Sequence, residues 1–165
     1  MRVSEVMTIN PTCCIPTDSA KMAATIMRDL DIGIVPIVEN GMSRKLVGVV
    51  TDRDLCIGLI CGNEIGDSEP HSADTALEDL MTSNVISCRP GDSLQKALEL
   101  MKENQIRRIL VVDEEGAVEG IISMADLFLR ADVTSRETSG TMKIISEPAE
   151  EEAPRPNAQH AKTGR

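Results

Sequence analysis

The sequence predicts an α+β fold assembled from two copies of one strand-helix-strand-strand-helix unit. With a shift of 74 positions, Met7, Thr8, Asn10, Cys14, Pro16, Asp18, Ser19, Ala23, Met27, Ile32 and Val38 all meet identical residues. After a turn in which the first copy carries two extra residues, Gly48, Asp54 and Leu55 match at a shift of 72. The stretch Gly48-Val-Val-Thr-Asp-Arg-Asp-Leu55 thereby returns as Gly120-Ile-Ile-Ser-Met-Ala-Asp-Leu127. Within each copy, apolar runs of strand length alternate with apolar spacing of three and four residues, the period of an amphipathic helix. So long a repeat indicates a tandem duplication whose halves face each other, since a solenoid needs at least three shorter units. With 165 residues the chain supports one sizeable core, whereas two separate small domains would each be marginal.

Met1 to Met7 reads as a short lead-in helix that Asn10-Pro11 stops. Thr12 to Ile15 is a brief β-favouring run closed by Pro16. Asp18 or Ser19 can then cap a helix that turns Ala20, Ala23, Ala24, Met27 and Leu30 to one side, with Gly33 beyond its end. Ile34 to Val38 has the near-continuous apolar character of a buried strand, Asn40-Gly41 marks a turn, and Leu46 to Val50 is the next strand. Thr51 opens a helix carrying Leu55, Cys56, Leu59 and Ile60, which fades at Gly62-Asn63. Ile65 to Asp74 lacks periodicity and connects the halves. The pattern then restarts: Ala76 to Thr82 matches the lead-in and Val85 to Cys88 the first strand, while Leu94, Ala97, Leu98 and Met101 mark the helix, with Asp92 and Gln95 at capping-box spacing. Ile109 to Val112, a turn at Glu114-Glu-Gly116, Val118 to Ile122 and a helix from Ser123 complete the second set. Beyond about Asp132 the chain is polar, acidic and rich in Pro, as in Glu147-Pro-Ala-Glu-Glu-Glu-Ala-Pro-Arg-Pro, and reads as a disordered tail.

The composition narrows the function. A net charge of -10 and a pI near 4.7 argue against nucleic-acid duplexes or anionic lipid as the main partner. No apolar run approaches the roughly 20 residues of a membrane span, and Met1-Arg-Val-Ser-Glu lacks the apolar segment of a signal peptide, so a soluble cytoplasmic protein is expected. Without Trp or Tyr, and with Phe128 as the single Phe, a bound base would lie against aliphatic side chains rather than between rings. Cysteines 13, 14, 56, 61 and 88 form no C-x-x-C pair, and His71 and His160 stand at no zinc-finger spacing. They read as reduced core thiols, the alternative being a redox or metal switch. The neighbours Cys13 and Cys14 should face opposite ways on a strand. No Ser-His-Asp set, acid/base carboxylate pair or Gly-rich phosphate loop indicates an enzyme.

The repeated Thr/Ser-x-x-Asp carries two readings at the same atoms. Thr51 with Asp54, and Ser123 with Asp126, stand at the spacing of a capping box. A helix start also presents unpaired N–H groups and partial positive charge, which suit a phosphate, with the hydroxyl and carboxylate available to a sugar.

Taken together, the Met-Thr starts, the x-Pro-x-Asp-Ser helix entries and the Gly-h-h-(Thr/Ser)-x-x-Asp-Leu motif, h being apolar, resemble a tandem pair of cystathionine-β-synthase (CBS) domains, or Bateman module, over roughly residues 3 to 131. Asp31-Ile-Gly-Ile-Val-Pro36 and Gln105-Ile-Arg-Arg108 look similar to stand-alone bacterial CBS proteins of the hypoxic response protein type. The resemblance implies two β-α-β-β-α repeats related by a pseudo-twofold axis. They would occupy residues 1–62 and 75–131, with a linker at 63–74 and a tail at 132–165. It further implies two clefts for an adenosine nucleotide, namely AMP, ADP, ATP or S-adenosylmethionine. One would combine Thr51, Asp54, Ile86, Ile106, Arg107 and Arg108, and the other Thr12, Ile32, Ser123 and Asp126. Since Gly33 and Ile34 stand where the second copy has Arg107 and Arg108, the guanidinium groups favour the Asp54 cleft. Pro36 becomes Leu110 in the second copy, which puts the register of that strand in question. The expected function is a non-enzymatic regulatory module, with no required cofactor or metal, a homodimer as the expected assembly and a protein target downstream. A ligand-free interaction module is the alternative, working through Leu55, Leu59, Ile60, Leu127 and Phe128.

Overall fold

The computed structural model describes residues 1–62 and 71–130, with backbone alone for 128–130. The tail, His160 and most of the linker lie outside the described residues. The elements are β1 (Thr8–Ile9), α1 (Ala20–Leu30), β2 (Ile34–Val38), β3 (Leu46–Thr51), α2 (Asp52–Cys61), β4 (Ser87–Cys88), α3 (Leu94–Glu103), β5 (Arg108–Val112), β6 (Val118–Ser123) and α4 (Met124–Arg130). Instead of a lead-in helix over Met1 to Met7, each repeat opens on a short 3-10 turn, Val3–Glu5 and Leu77–Asp79.

Ser19 and Ser93 cap α1 and α3, accepting the N–H groups of Met22 and Lys96. The capping box at Asp92 and Gln95 does not form. Asp92 instead accepts the Arg89 N–H at 2.8 Å and pairs with Lys96 at 2.8 Å, while Gln95 donates to Glu99. α1 ends at Leu30 with Asp31 as its C-cap, and Gly33 lies beyond it as expected. Asp31 and its counterpart Gln105 both adopt φ 52°, and the N–H groups of Ile32 and Ile106 reach back to Met27 and Met101 at 2.9 and 3.0 Å. These left-handed caps present the two isoleucines toward the strands that follow.

Each half builds a sheet of the same order. In the second half it runs β1-β6-β5-β4, with β4 parallel to β5. In the first half β2 and β3 form the antiparallel pair, flanked by single bridges from Cys14 to Ile37, parallel, and from Thr82 to Val49, antiparallel. Pro36 faces Val49 and Leu110 faces Ile121, so loss of the proline leaves the register unchanged. Lys45 and Ala117, equivalent positions in the two copies, pair with each other and mark the pseudo-twofold axis.

The lead-ins are exchanged. β1, from the first copy, adds to β6 of the second, and Thr82, from the second, adds to β3 of the first. The apolar side chains follow the backbone. Val3 and Val6 enter the core of Leu98, Met101, Ile109 and Ile122, whereas Leu77 and Leu80 enter that of Ala23, Val35, Ile37 and Val50. The exchange explains the glycine of the repeated motif. A Cβ at Gly48 would stand 2.5 Å from Met81 Sδ and 3.3 Å from the Thr82 carbonyl, and one at Gly120 would meet Met7 Sδ at 2.6 Å and the Thr8 carbonyl at 3.1 Å. Each glycine makes room for the Met-Thr of the opposite repeat. A third cluster of Val38, Val112 and Val118 joins the halves at the axis.

Candidate functional site

At the end of β3 the chain stops pairing and Thr51 becomes the N-cap of α2. Its N–H and its hydroxyl both donate to Asp54 Oδ2, at 2.9 and 2.7 Å, and the Asp54 N–H donates back to Thr51 Oγ1 at 3.2 Å. Ser123 and Asp126 repeat the arrangement at the start of α4 with the same three distances. The boxes fix each carboxylate through one oxygen. Among the described residues no hydrogen bond reaches Asp54 Oδ1, so capping leaves that edge available to another donor.

Two clefts lie over these boxes. The first, a cavity of about 300 Å³, is lined by Thr51, Asp54, Ile86, Ile106, Arg107 and Arg108 together with Ile34, Val49, Thr82, Asn84, Val85 and Leu110. The second, of about 830 Å³, is lined by Thr12, Ile32, Ser123 and Asp126, and also by Thr8, Asn10, Asp31, Asp52 and Met124. Each set of residues singled out in the sequence is thus gathered around one cavity. Thr82 with Asn84, and Thr8 with Asn10, were missed as lining residues. Their signal is the Met-Thr-x-Asn that opens both copies, whose place in the opposite half only the exchange reveals.

Arg107 and Arg108 line both cavities rather than the first alone. The second is nevertheless the more acidic, with Asp31, Asp52 and Asp126 on its wall against Asp54 alone in the first. Over Gly33, Asp52 and Arg108 approach the same point: a Cβ there would lie 2.9 Å from Asp52 Oδ2 and 3.5 Å from Arg108 Nη1. The missing side chain at Gly33 lets opposite charges converge at the boundary of the clefts.

Residues 3–59 and 77–131 match the CBS domain family. The chain is a CBS-domain protein. Hypoxic response protein 1 of Mycobacterium tuberculosis is 36% identical to it over 124 residues, covering 74% of this chain and 80% of that protein. Inosine-5'-monophosphate dehydrogenase of Aquifex aeolicus is 31% identical over 125 residues, only 23% of that enzyme's length, so the likeness stops at its CBS part. Among solved structures, CBSX2 in complex with AMP superposes with a TM-score of 0.66 at 26% identity, covering 79% of this chain and 95% of that one. The CBS domain pair of protein MJ0100, in complex with 5-methylthioadenosine and S-adenosyl-L-methionine, gives 0.66 at 25% identity and covers 78% and 94%. Hypoxic Response Protein I, which holds two coordinated zinc ions, gives 0.63 at 30% identity and covers 78% and 98%. In the present CBS pair no group of three or more His, Cys, Asp or Glu that could hold a metal exists among the described residues. No described helix is long and apolar enough to cross a membrane.

The five cysteines are free and divide by burial. Cys14 and Cys88, equivalent in the two CBS repeats, are buried. Burial pushes the Cys14 thiol up to about 12, with the Asp18 carboxylate adding to the rise. Cys88 is likewise pushed by burial, and by Asp92, to about 11 against the opposing charge of Lys96. Cys13 faces the other way, into the axial cluster, and its thiol is raised by burial against the lowering effect of Arg44. Cys56 and Cys61 stand exposed on α2, a departure from the expectation of core thiols throughout. The apolar face expected after each motif is likewise divided. Leu55 and Leu127 belong to the cores, whereas Ile60 is 67% exposed, and the Phe128 side chain lies outside the described residues.

Proposed function

We propose that this CBS pair is a non-enzymatic regulatory module that binds an adenosine nucleotide in the Asp54 cleft. The carrying observation is that one cavity of about 300 Å³ gathers an oriented carboxylate, aliphatic walls and two guanidinium groups. Asp54 Oδ1 would accept from the ribose hydroxyls while Oδ2 stays in the helix cap. Val85, Ile86 and Ile106 would flank the base, and Arg107 and Arg108 would make charge-assisted bonds to phosphate. The adenosyl ligands of CBSX2 and MJ0100 support the ligand class. The second cleft, at Thr12, Ile32, Ser123 and Asp126, is proposed as the weaker site for polyphosphates because of its three carboxylates. Regulation follows when the nucleotide binds two arrangements of the protein unequally, and a difference of about 1.4 kcal/mol moves their ratio tenfold.

Titration calorimetry with AMP, ADP, ATP and S-adenosylmethionine tests this reading. We expect saturable heat with at least one of them, and a loss of about tenfold or more in affinity for Asp54→Ala and for Arg107→Gln with Arg108→Gln. Absence of heat at millimolar nucleotide, or unchanged affinity in a folded Asp54→Ala variant, would overturn it. A second reading, a ligand-free homodimerisation module, is favoured by Ile57 and Ile60 on α2, which are 41% and 67% exposed. Light scattering decides it: a monodisperse monomer at high concentration removes the dimer.

A further inference from the structure

The two copies also differ near the axis, away from the clefts. Arg44 of the first copy corresponds to Gly116 of the second. The Arg44 side chain bridges the two halves, donating from Nη2 to the Pro11 carbonyl at 3.0 Å and from Nε to the Val118 carbonyl at 3.3 Å, with Nη2 3.5 Å from Cys13 Sγ. At the equivalent place Gly116, with φ 88°, brings no side chain, and a cavity of about 280 Å³ remains. Its polar lining is Lys45, Ser83, Ser87 and Arg89, where the equivalent place across the axis has Ala117, Ile9, Cys13 and Ile15.

We propose that this cavity binds a small phosphate-bearing anion, at a site separate from the nucleotide clefts. No carboxylate lines it, although the chain carries a net charge of -10. Neither Lys45 nor Arg89 makes an ion pair among the described residues. The Arg89 guanidinium has one long bond, 3.4 Å from Nη1 to the Val112 carbonyl, and the hydroxyls of Ser83 and Ser87 have no hydrogen bond among the described residues. The neighbouring acid, Asp92, takes the Arg89 backbone N–H on Oδ2 and Lys96 on Oδ1. Lys45 without a charged partner among the described residues, Arg89 sharing the distant charge of Asp92 with Lys96, and two free hydroxyls therefore border one concave space. Phosphate, with nearly two negative charges at neutral pH and several strong acceptor oxygens, matches that set better than a neutral ligand. Val85 lines both this cavity and the Asp54 cleft, so the sites are neighbours along one groove, yet anion binding here needs no nucleotide.

The test is a titration of inorganic phosphate and pyrophosphate into the full chain at constant ionic strength, read by amide NMR shifts and melting temperature. Saturable shifts are expected at Ser83, Ser87 and Gly116, weakened about tenfold by Lys45→Gln or Arg89→Gln and unchanged by Arg107→Gln with Arg108→Gln. Shifts lost in the Arg107/Arg108 variant and kept in the Lys45 and Arg89 variants would assign the anion to the nucleotide cleft and overturn the proposal. So would a non-saturable rise in melting temperature common to all variants, which is general salt exclusion, or no response at millimolar pyrophosphate. Lys45 and Arg89 are exposed, so both variants are expected to fold.

Discussion

Truncating Leu77 to Ala should damage the half of the molecule that its own repeat does not encode. Leu77 is completely buried and packs among Ala23, Val35, Ile37 and Val50, all from the first copy. Removing a fully buried leucine side chain costs about 2–5 kcal/mol, and the tight strand and helix packing around this site places the expected loss near 3 kcal/mol. For a domain of this size that lowers the melting temperature by roughly 10 °C. Amide hydrogen exchange locates the damage. Protection should fall first in α1, β2 and β3, with β5 and β6 holding longer. Val3→Ala is the mirror experiment: it removes about 2 kcal/mol by methylene count and should loosen β5 and β6 first, since Val3 packs with Met101, Ile109 and Ile122. If Leu77→Ala loosened β5 and β6 while α1, β2 and β3 kept their protection, the exchange of lead-ins would be refuted.

Three further outcomes follow from the same geometry. Gly48→Ala and Gly120→Ala should each lose about 1–2 kcal/mol by urea unfolding, although Gly to Ala in a strand is ordinarily stabilising, because the new methyl group meets a methionine sulfur and the carbonyl of the exchanged segment. Cys56 and Cys61 should react with a thiol reagent in the folded protein, and Cys14 and Cys88 only on unfolding, as their burial and raised thiols require. Because the Cys14 and Cys88 thiols are held at about 12 and about 11 against an ordinary value of 9.0, their contribution to stability is complete below pH 9 and is lost as the pH rises toward those values. Urea midpoints measured from pH 8 to pH 11 should fall more steeply for the native sequence than for the Cys14→Ala, Cys88→Ala double variant, and equal slopes would remove the thiols as the cause.

Most of the regular structure was legible because it is written in local patterns. Apolar spacing over Ala20, Ala23 and Met27 and the continuous run from Ile34 to Val38 announce α1 and β2, and Thr51 with Asp54 announces the start of α2. The residues grouped around each cleft came within reach through the resemblance to CBS pairs, because the duplication relates Asp54 to Asp126 and Ile32 to Ile106 without saying which of them share a cleft. What escaped was non-local or too short to have a period. β1 has two residues, and the strand expected over Thr12 to Ile15 contracts to a single bridge at Cys14. The exchange of lead-ins leaves no mark on the order of elements, because Val3 and Leu77 are apolar wherever they pack. Asp92 illustrates a competition at equal spacing: its carboxylate is drawn to Lys96 and the Arg89 N–H, and Ser93, one residue on, does the capping.

The Arg107–Arg108 pair belongs to two cavities and has no counterpart across the axis, where Gly33 and Ile34 stand. Any anion settling on one side draws on the same positive charge that an anion on the other side would need. By thermodynamic reciprocity, whatever occupancy of the smaller cavity costs the larger, occupancy of the larger costs the smaller in equal measure. A duplicated fold would ordinarily offer two like and independent seats. If both clefts take anions, one dipeptide, present in a single copy, would tie them into a two-input device whose response depends on the ratio of its occupants.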